Sequence, residues 1–171
     1  IGNVSVAGKG RLWTAFDTGP GNCLMDLAAS IGTNGRLAMD VNGRLANRGK
    51  ADKRNVERLI KESFFLKQPP KSLDRGTYGE AYIRSNFGRV TRKNLPDTLA
   101  TLTLLTARSI KDSFHRFILP KHAVQQILVS GGGSKNPVLM RMLRDMLKPI
   151  PVSVSDLADM PAMAKEAACF A

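Results

Sequence analysis

The run Phe16-Asp17-Thr18-Gly19-Pro20-Gly21-Asn22 limits what this chain can become more than any other stretch. An apolar segment, Leu12 to Phe16, ends in an acid, turns through Gly-Pro-Gly and opens onto residues with helical spacing, Leu24, Leu27, Ala28 and Ile31. Gly19 and Gly21 carry no side chain, so backbone can approach a ligand closely, while Pro20 fixes the turn. Asn22 stands where it can cap the helix. The result is a strand end with a carboxylate beside bare N–H groups, a spot that can receive a phosphate and its metal. Asp17 is the candidate to hold a hydrated Mg²⁺. The same residues also suit a plain strand-to-helix turn capped by Asp17 and Asn22, and the motif alone leaves both readings open.

The flanks give the element order. Asn3 to Ala7 alternates as a strand does, Gly8-Lys9-Gly10 turns, and Leu12 to Phe16 returns as its hairpin partner. Asn22 to Ile31 reads as a helix, Thr33 to Lys50 as loop, and Ala51 to Glu62 as a short amphipathic helix presenting Val56, Leu59 and Ile60. Gln68-Pro69-Pro70-Lys71-Ser72 is extended by its prolines. Leu73 to Asn94 reads as irregular and basic. A long helix is expected from Pro96-Asp97 to about Phe117, with Leu99, Leu102, Leu105, Ile110, Phe114 and Phe117 inward.

A second glycine turn, Ser130-Gly131-Gly132-Gly133-Ser134, follows the apolar strand Gln126 to Ser130, which is expected to be buried. Bare backbone there can lie against a flat base and ribose, although a tight strand-to-helix crossover would use the same residues. The spacing matches neither the Walker pattern nor a dinucleotide fingerprint. Asn136-Pro137 reads as an N-cap and first-turn proline for a helix to about Leu147, with Leu139, Met142, Leu143 and Met146 inward. Pro151 to Ser155 is expected as a strand, Asp156 and Asp159 as caps, and Ala162 to Ala171 as a final helix. A hairpin followed by alternating helices and strands gives an α/β domain with one mixed sheet and flanking helices.

The other residues narrow the function classes. The net charge is +12, and the densest basic stretch is Arg84 to Lys93, with Arg89, Arg92 and Lys93. No recognition motif, aromatic platform or zinc pattern accompanies it, so a solvated loop is preferred over nucleic acid as its explanation. His115 and His122 lack the neighbours of a metal site or triad and read as surface or helix-end residues. Cys23 and Cys169 sit in apolar contexts and read as thiols of a reducing compartment, which with the lack of a signal peptide or membrane-length apolar run points to the cytoplasm. Asp26, just inside the first helix, is an acid that can point back towards the turn. The chain starts at Ile1 inside a strand, without an initiator Met, and reads as a piece of a longer protein.

Several strings together resemble one family. These are Asn3-Val4-Ser5-Val6, Phe16 to Asn22 with Met25-Asp26, Gly49-Lys50, Pro69-Pro70-Lys71-Ser72, Leu105-Thr106-Ala107-Arg108-Ser109-Ile110, Gly131-Gly132-Gly133 with Asn136-Pro137-Leu139-Met140, and the ending Glu166-Ala167 with Phe170-Ala171. They are collinear and look like the C-terminal half of anhydro-N-acetylmuramic acid kinase. The resemblance implies an actin-like ATPase (ribonuclease H-like) fold of the sugar kinase and Hsp70 superfamily, in which two α/β domains close over ATP. It implies ATP- and Mg²⁺-dependent phosphorylation of 1,6-anhydro-N-acetylmuramic acid, with water opening the anhydro bridge, to give N-acetylmuramic acid 6-phosphate for peptidoglycan recycling. Residues 1–171 would then be the C-terminal domain.

On that resemblance Asp17, Thr18, Gly19, Gly21 and Asn22 match the turn in the interdomain cleft. Gly131, Gly132, Gly133 and Asn136 match the adenosine side, and Glu166 a substrate-side acid. The phosphate loop Gly-Thr-Ser-Leu-Asp-Gly and the general-base Asp are expected upstream of Ile1, so no catalytic residue is assigned within the chain. The implied partners are ATP, the sugar, the N-terminal domain and a second copy in a homodimer. Two other readings remain: a non-catalytic nucleotide-binding or interaction domain of the same fold, and a polyanion-binding module using the Arg84–Lys93 stretch.

Overall fold

A computed structural model of the protein describes residues 1–155. The expected hairpin is present and longer than the alternation alone marks: β1 (Gly2–Gly8) pairs antiparallel with β2 (Arg11–Gly19). Its register sets Gly2 opposite Gly19 and Asn3 opposite Asp17, so the hairpin mouth lies at the turn. The inward side chains Val4, Val6 and Phe16 reach the core, and Asn3 and Ala15 remain exposed.

Helix α1 (Asn22–Gly32) follows directly and buries Leu24, Met25, Ala28 and Ala29, with Leu27 and Ile31 partly covered. After a loop with two short 3₁₀ turns come α2 (Lys53–Leu59) and α3 (Ser63–Leu66) in place of the single helix expected there. Asp52 caps α2 by accepting from Asn55 N–H at 3.0 Å. Val56, Leu59 and Ile60 are buried as the spacing predicts.

The stretch read as irregular contains a 3₁₀ turn, Arg75–Tyr78, and helix α4 (Glu80–Phe87). Tyr78, Ile83 and Val90 are buried along it, an apolar edge too sparse to stand out among the surrounding charges. Helix α5 (Leu95–Ser113) continues through a π-helical turn, Phe114–Ile118, so the long helix has the expected extent. Strand β3 (Ile127–Val129), helix α6 (Pro137–Met146) and strand β4 (Val152–Val154) complete the order, with β3 and β4 parallel.

Two expectations need correction. The described residues form two separate two-stranded sheets, not one mixed sheet. Strand β3 is not buried either: it is three residues long, has one partner strand, and leaves Leu128 43% exposed. Among the described residues no helix is long and apolar enough to cross a membrane.

Helix α5 joins the two halves of the core. Its Leu99, Leu102 and Leu105 pack with α1, α2 and Tyr78, while Ala107 packs with Phe114, Ile118, the hairpin and α6. Thr98, Thr101, Thr103, Thr106 and Ser109 on α5 are also buried. Each returns its hydroxyl proton to a carbonyl three or four residues back, at 2.7 to 3.0 Å. These short side chains let a neighbouring backbone come close, and that backbone is the Gly19–Gly21 turn. A Cβ added to Gly19 would stand 3.0 Å from Ser109 Oγ, and Thr106 Oγ1 donates to Gly21 O at 3.4 Å.

Candidate functional site

The first turn is built by close approach. Gly21 has φ of 57° and is the N-cap of α1; a Cβ there would lie 2.5 Å from Gly2 N. Both the positive φ and the hairpin mouth therefore demand glycine. This corrects the expectation for Asn22. The cap position is taken by Gly21, no side chain caps the helix, and Asn22 is its first residue.

Freed from capping, the Asn22 amide reaches the second glycine turn. A Cβ on Gly132 would stand 3.0 Å from Asn22 Nδ2, and one on Gly133 3.6 Å from its Oδ1. The two turns, more than a hundred residues apart in sequence, thus meet side chain to backbone. Gly131 (φ 75°) and Gly132 are exposed, and nothing lies within 4 Å of a Cβ on Gly131, so a flat group has room against that backbone. Ser134 Oγ donates to Gly131 O at 2.8 Å and ties the turn to itself.

Asn136 does what its position predicts. Its Oδ1 accepts from Val138 N–H at 3.0 Å and Leu139 N–H at 3.2 Å, starting α6. It therefore supports the triple-glycine turn from below. Gly43, in the loop expected over Thr33 to Lys50, packs its backbone directly on the Asn136 carboxamide. Asp40 shapes that loop by accepting from Leu45 N–H at 2.9 Å and Ala46 N–H at 2.8 Å. The Asp40-Val41-Asn42-Gly43 string carried the signal, in an acid followed by two residues of positive φ.

Asp17 is half-buried at the end of β2. Its N–H donates to Lys71 O at 3.0 Å; its Oδ2 accepts from Leu73 N–H at 2.8 Å and from Ser72 Oγ at 3.4 Å. The carboxylate therefore does not cap α1, as the architectural reading had it. One oxygen is fixed by the extended Lys71–Leu73 segment, which runs as a strap along β2. No protein group among the described residues bonds Oδ1. A carboxylate held in this way can orient a water or a hydrated cation.

Thr18 is 1% exposed, and its Oγ1 has no hydrogen-bond partner among the described residues, lying 3.0 Å from where a Cβ on Gly2 would be. Asp26 sits one turn beyond Asn22 on α1. Burial raises its carboxyl above the usual range. Cys23 is half-buried, and its thiol donates to Pro20 O at 2.9 Å, so it belongs to the turn's own bonding. His115 is exposed on the π-helical turn and His122 stacks on Trp13 at 4.8 Å, in keeping with the structural roles expected of them. Met140 is buried and Met142 and Met146 partly so, as core residues. Glu166, Cys169, the caps at Asp156 and Asp159 and the helix expected over 162–171 lie outside the described residues.

Comparison with known proteins gives the family. The family model for anhydro-N-acetylmuramic acid kinase matches residues 1–171. The chain belongs to that family. It is 36% identical to the anhydro-N-acetylmuramic acid kinase of Caldanaerobacter subterraneus subsp. tengcongensis, over all of this chain and 44% of that protein. It is 39% identical to that of Salinibacter ruber, over 92% of this chain and 40% of the relative. The Crocosphaera subtropica protein of the same name is 40% identical over 91% of this chain and 41% of its own length. The chain thus spans less than half the length of the curated relatives it matches. The small sheets and packed helices are a mixed α/β architecture consistent with the family.

Proposed function

We propose that this chain is the C-terminal, nucleotide-binding half of a kinase that phosphorylates 1,6-anhydro-N-acetylmuramic acid with ATP. Water opens the anhydro bridge in the same reaction, giving N-acetylmuramic acid 6-phosphate. The fold in this reading is the actin-like ATPase domain, with the second domain and the phosphate loop contributed by the rest of the protein. The cytoplasm, where ATP is available, is its place of action, and a homodimer its assembly. The observation that carries the reading is the meeting of Asn22 with Gly132 and Gly133, which makes one wall from the two glycine turns.

The residues present fit the groups the reaction needs. Open backbone at Gly131 and Gly132 suits the flat face of adenosine, and Asn136 fixes that backbone by starting α6. Gly19, Pro20 and Gly21 are buried, so the place for anionic phosphate is the start of α1 at the half-buried Asn22. Among the described residues no group of three or more acids, histidines or cysteines could cage a metal. Magnesium is usually held by one or two carboxylates, water and substrate phosphates, and Asp17 Oδ1 suits that arrangement. The cation, when bound, neutralises charge developing on the transferred phosphoryl group. Asp17 orients water through its free oxygen, Asn22 spaces the two turns, and Thr18 holds an unbonded hydroxyl beneath them.

The test is turnover by the full-length protein. With ATP, Mg²⁺ and the anhydro sugar, mass spectrometry should detect N-acetylmuramic acid 6-phosphate forming in step with ADP. Asp17→Asn should lower kcat by about 100-fold or more. Unchanged sugar alongside normal ATP binding would remove the substrate assignment, and wild-type turnover by D17N would remove Asp17 from the site.

A further inference from the structure

The strap that fixes Asp17 is itself held by a buried lysine. Lys71 is 5% exposed, and its ammonium donates to Phe64 O at 3.1 Å and Phe65 O at 3.4 Å, at the end of α3. It lies over three aromatic rings, Phe64 at 4.7 Å, Phe117 at 5.0 Å and Phe16 at 6.0 Å from the centroids. Those rings come from α3, from the π-helical turn after α5 and from β2. Phe16 is the residue immediately before Asp17, and it meets Phe117 edge to face at 6.0 Å.

An ammonium is expensive to bury unless it is well partnered, and among the described residues no carboxylate partners it. Carbonyls and ring faces replace water, an arrangement that holds the side chain in one place. The backbone of the same residue accepts from Asp17 N–H, and its neighbours Ser72 and Leu73 hold the Asp17 carboxylate. A lysine needed only for solubility would extend outward. This one threads inward between three elements and fixes the segment that aims the acid.

The geometry points to Lys71 as a positioning residue: it pins the Lys71–Leu73 strap into an aromatic cage and thereby sets the orientation of the Asp17 carboxylate. It touches neither nucleotide nor sugar and acts through Asp17. The inference rests on the proposed role of Asp17. A misplacement of about 1 Å at a reacting group can cost 100-fold in rate, which is the size of effect a loosened strap can produce.

The experiment is a double-mutant cycle in the full-length protein, reading kcat and KM for ATP-dependent phosphorylation of the anhydro sugar. Lys71→Met keeps length and apolar contact while removing the ammonium. It should lower kcat about tenfold or more, with KM for ATP changed less than about threefold. In a D17N background the same change should cost less than about twofold, because the carboxylate it positions is already gone. Wild-type kcat in K71M, or an equal loss in both backgrounds, overturns the proposal while leaving Asp17 in place. Full activity in D17N removes the reading of the site and the inference with it. If K71M does not accumulate as folded protein, Phe117→Leu removes one wall of the cage and leaves the ammonium and its carbonyl acceptors. It should lower kcat several-fold at constant KM, and an unchanged kcat there overturns the inference.

Discussion

Gly21 and Lys71 are residues whose environments fix their identity. Gly21 combines a φ of 57° with the Gly2 backbone where a Cβ would go. Gly21→Ala should cost about 1–3 kcal/mol from the backbone conformation alone, with more from the forced opening of the hairpin mouth; urea unfolding measures it. Lys71 has its pKa lowered by burial, and further by Arg116, to about 8 from an ordinary 10.5. Between those values the unfolded chain binds the proton more than the folded one does, so stability rises as pH climbs through that window. Below pH 8 the ammonium is present in both states and its full burial cost is felt. Burial and Glu62 push the Tyr78 and Tyr82 phenols upward, so they oppose the trend only once free tyrosine begins to ionise near pH 10. Urea midpoints at pH 7.5, 8.5 and 9.5, a series placed to bracket the shifted value, should increase in wild type. The Lys71-linked part of that increase should vanish in K71M.

At the scale of elements, α6 depends on a single cap. Asn136 satisfies two N–H groups at its start and also receives the Gly43 backbone. Asn136→Ala should cost about 1 kcal/mol in unfolding and weaken nucleotide binding, since the turn above loses its support. This element was legible because an N-cap followed by proline is a local signal. The hairpin, α1 and the long α5 were legible for the same reason, each having a period or a turn that neighbouring residues spell out. Helix α4 was not, because Tyr78 packs on Phe64 and Phe65 of α3 and Val90 beside Gly32 of α1, contacts that no local period encodes. The break between α2 and α3 was hidden in the same way. Asn22 shows the limit most plainly. Its residue type suited a cap, but its amide lies against the Gly132 backbone instead. The strap on Asp17 was likewise out of reach, since a bond spanning 56 positions leaves no trace in spacing.

For the whole molecule, the consequence is that one long helix ties the site together. The small hydroxyl face of α5 carries the Gly19–Gly21 turn, and its apolar residues join the two halves of the core. Widening that face should push the turns apart without changing a residue of either. Ser109→Leu would drive a branched side chain against the Gly19 backbone, at an overpacking cost of about 1–3 kcal/mol. Nucleotide affinity should fall with it, as measured by isothermal titration. The chain spans 44% of the Caldanaerobacter relative, and the proposed cleft would take its opposite wall from outside these residues. The central claim is that two distant glycine turns form one nucleotide wall. Amide NMR of the isotopically labelled full-length protein, titrated with a non-hydrolysable ATP analogue and Mg²⁺, tests it most directly. Gly19, Gly21 and Asn22 should shift together with Gly131, Gly132 and Gly133 along a single binding curve. Shifts confined to one turn, or to neither, would contradict the account.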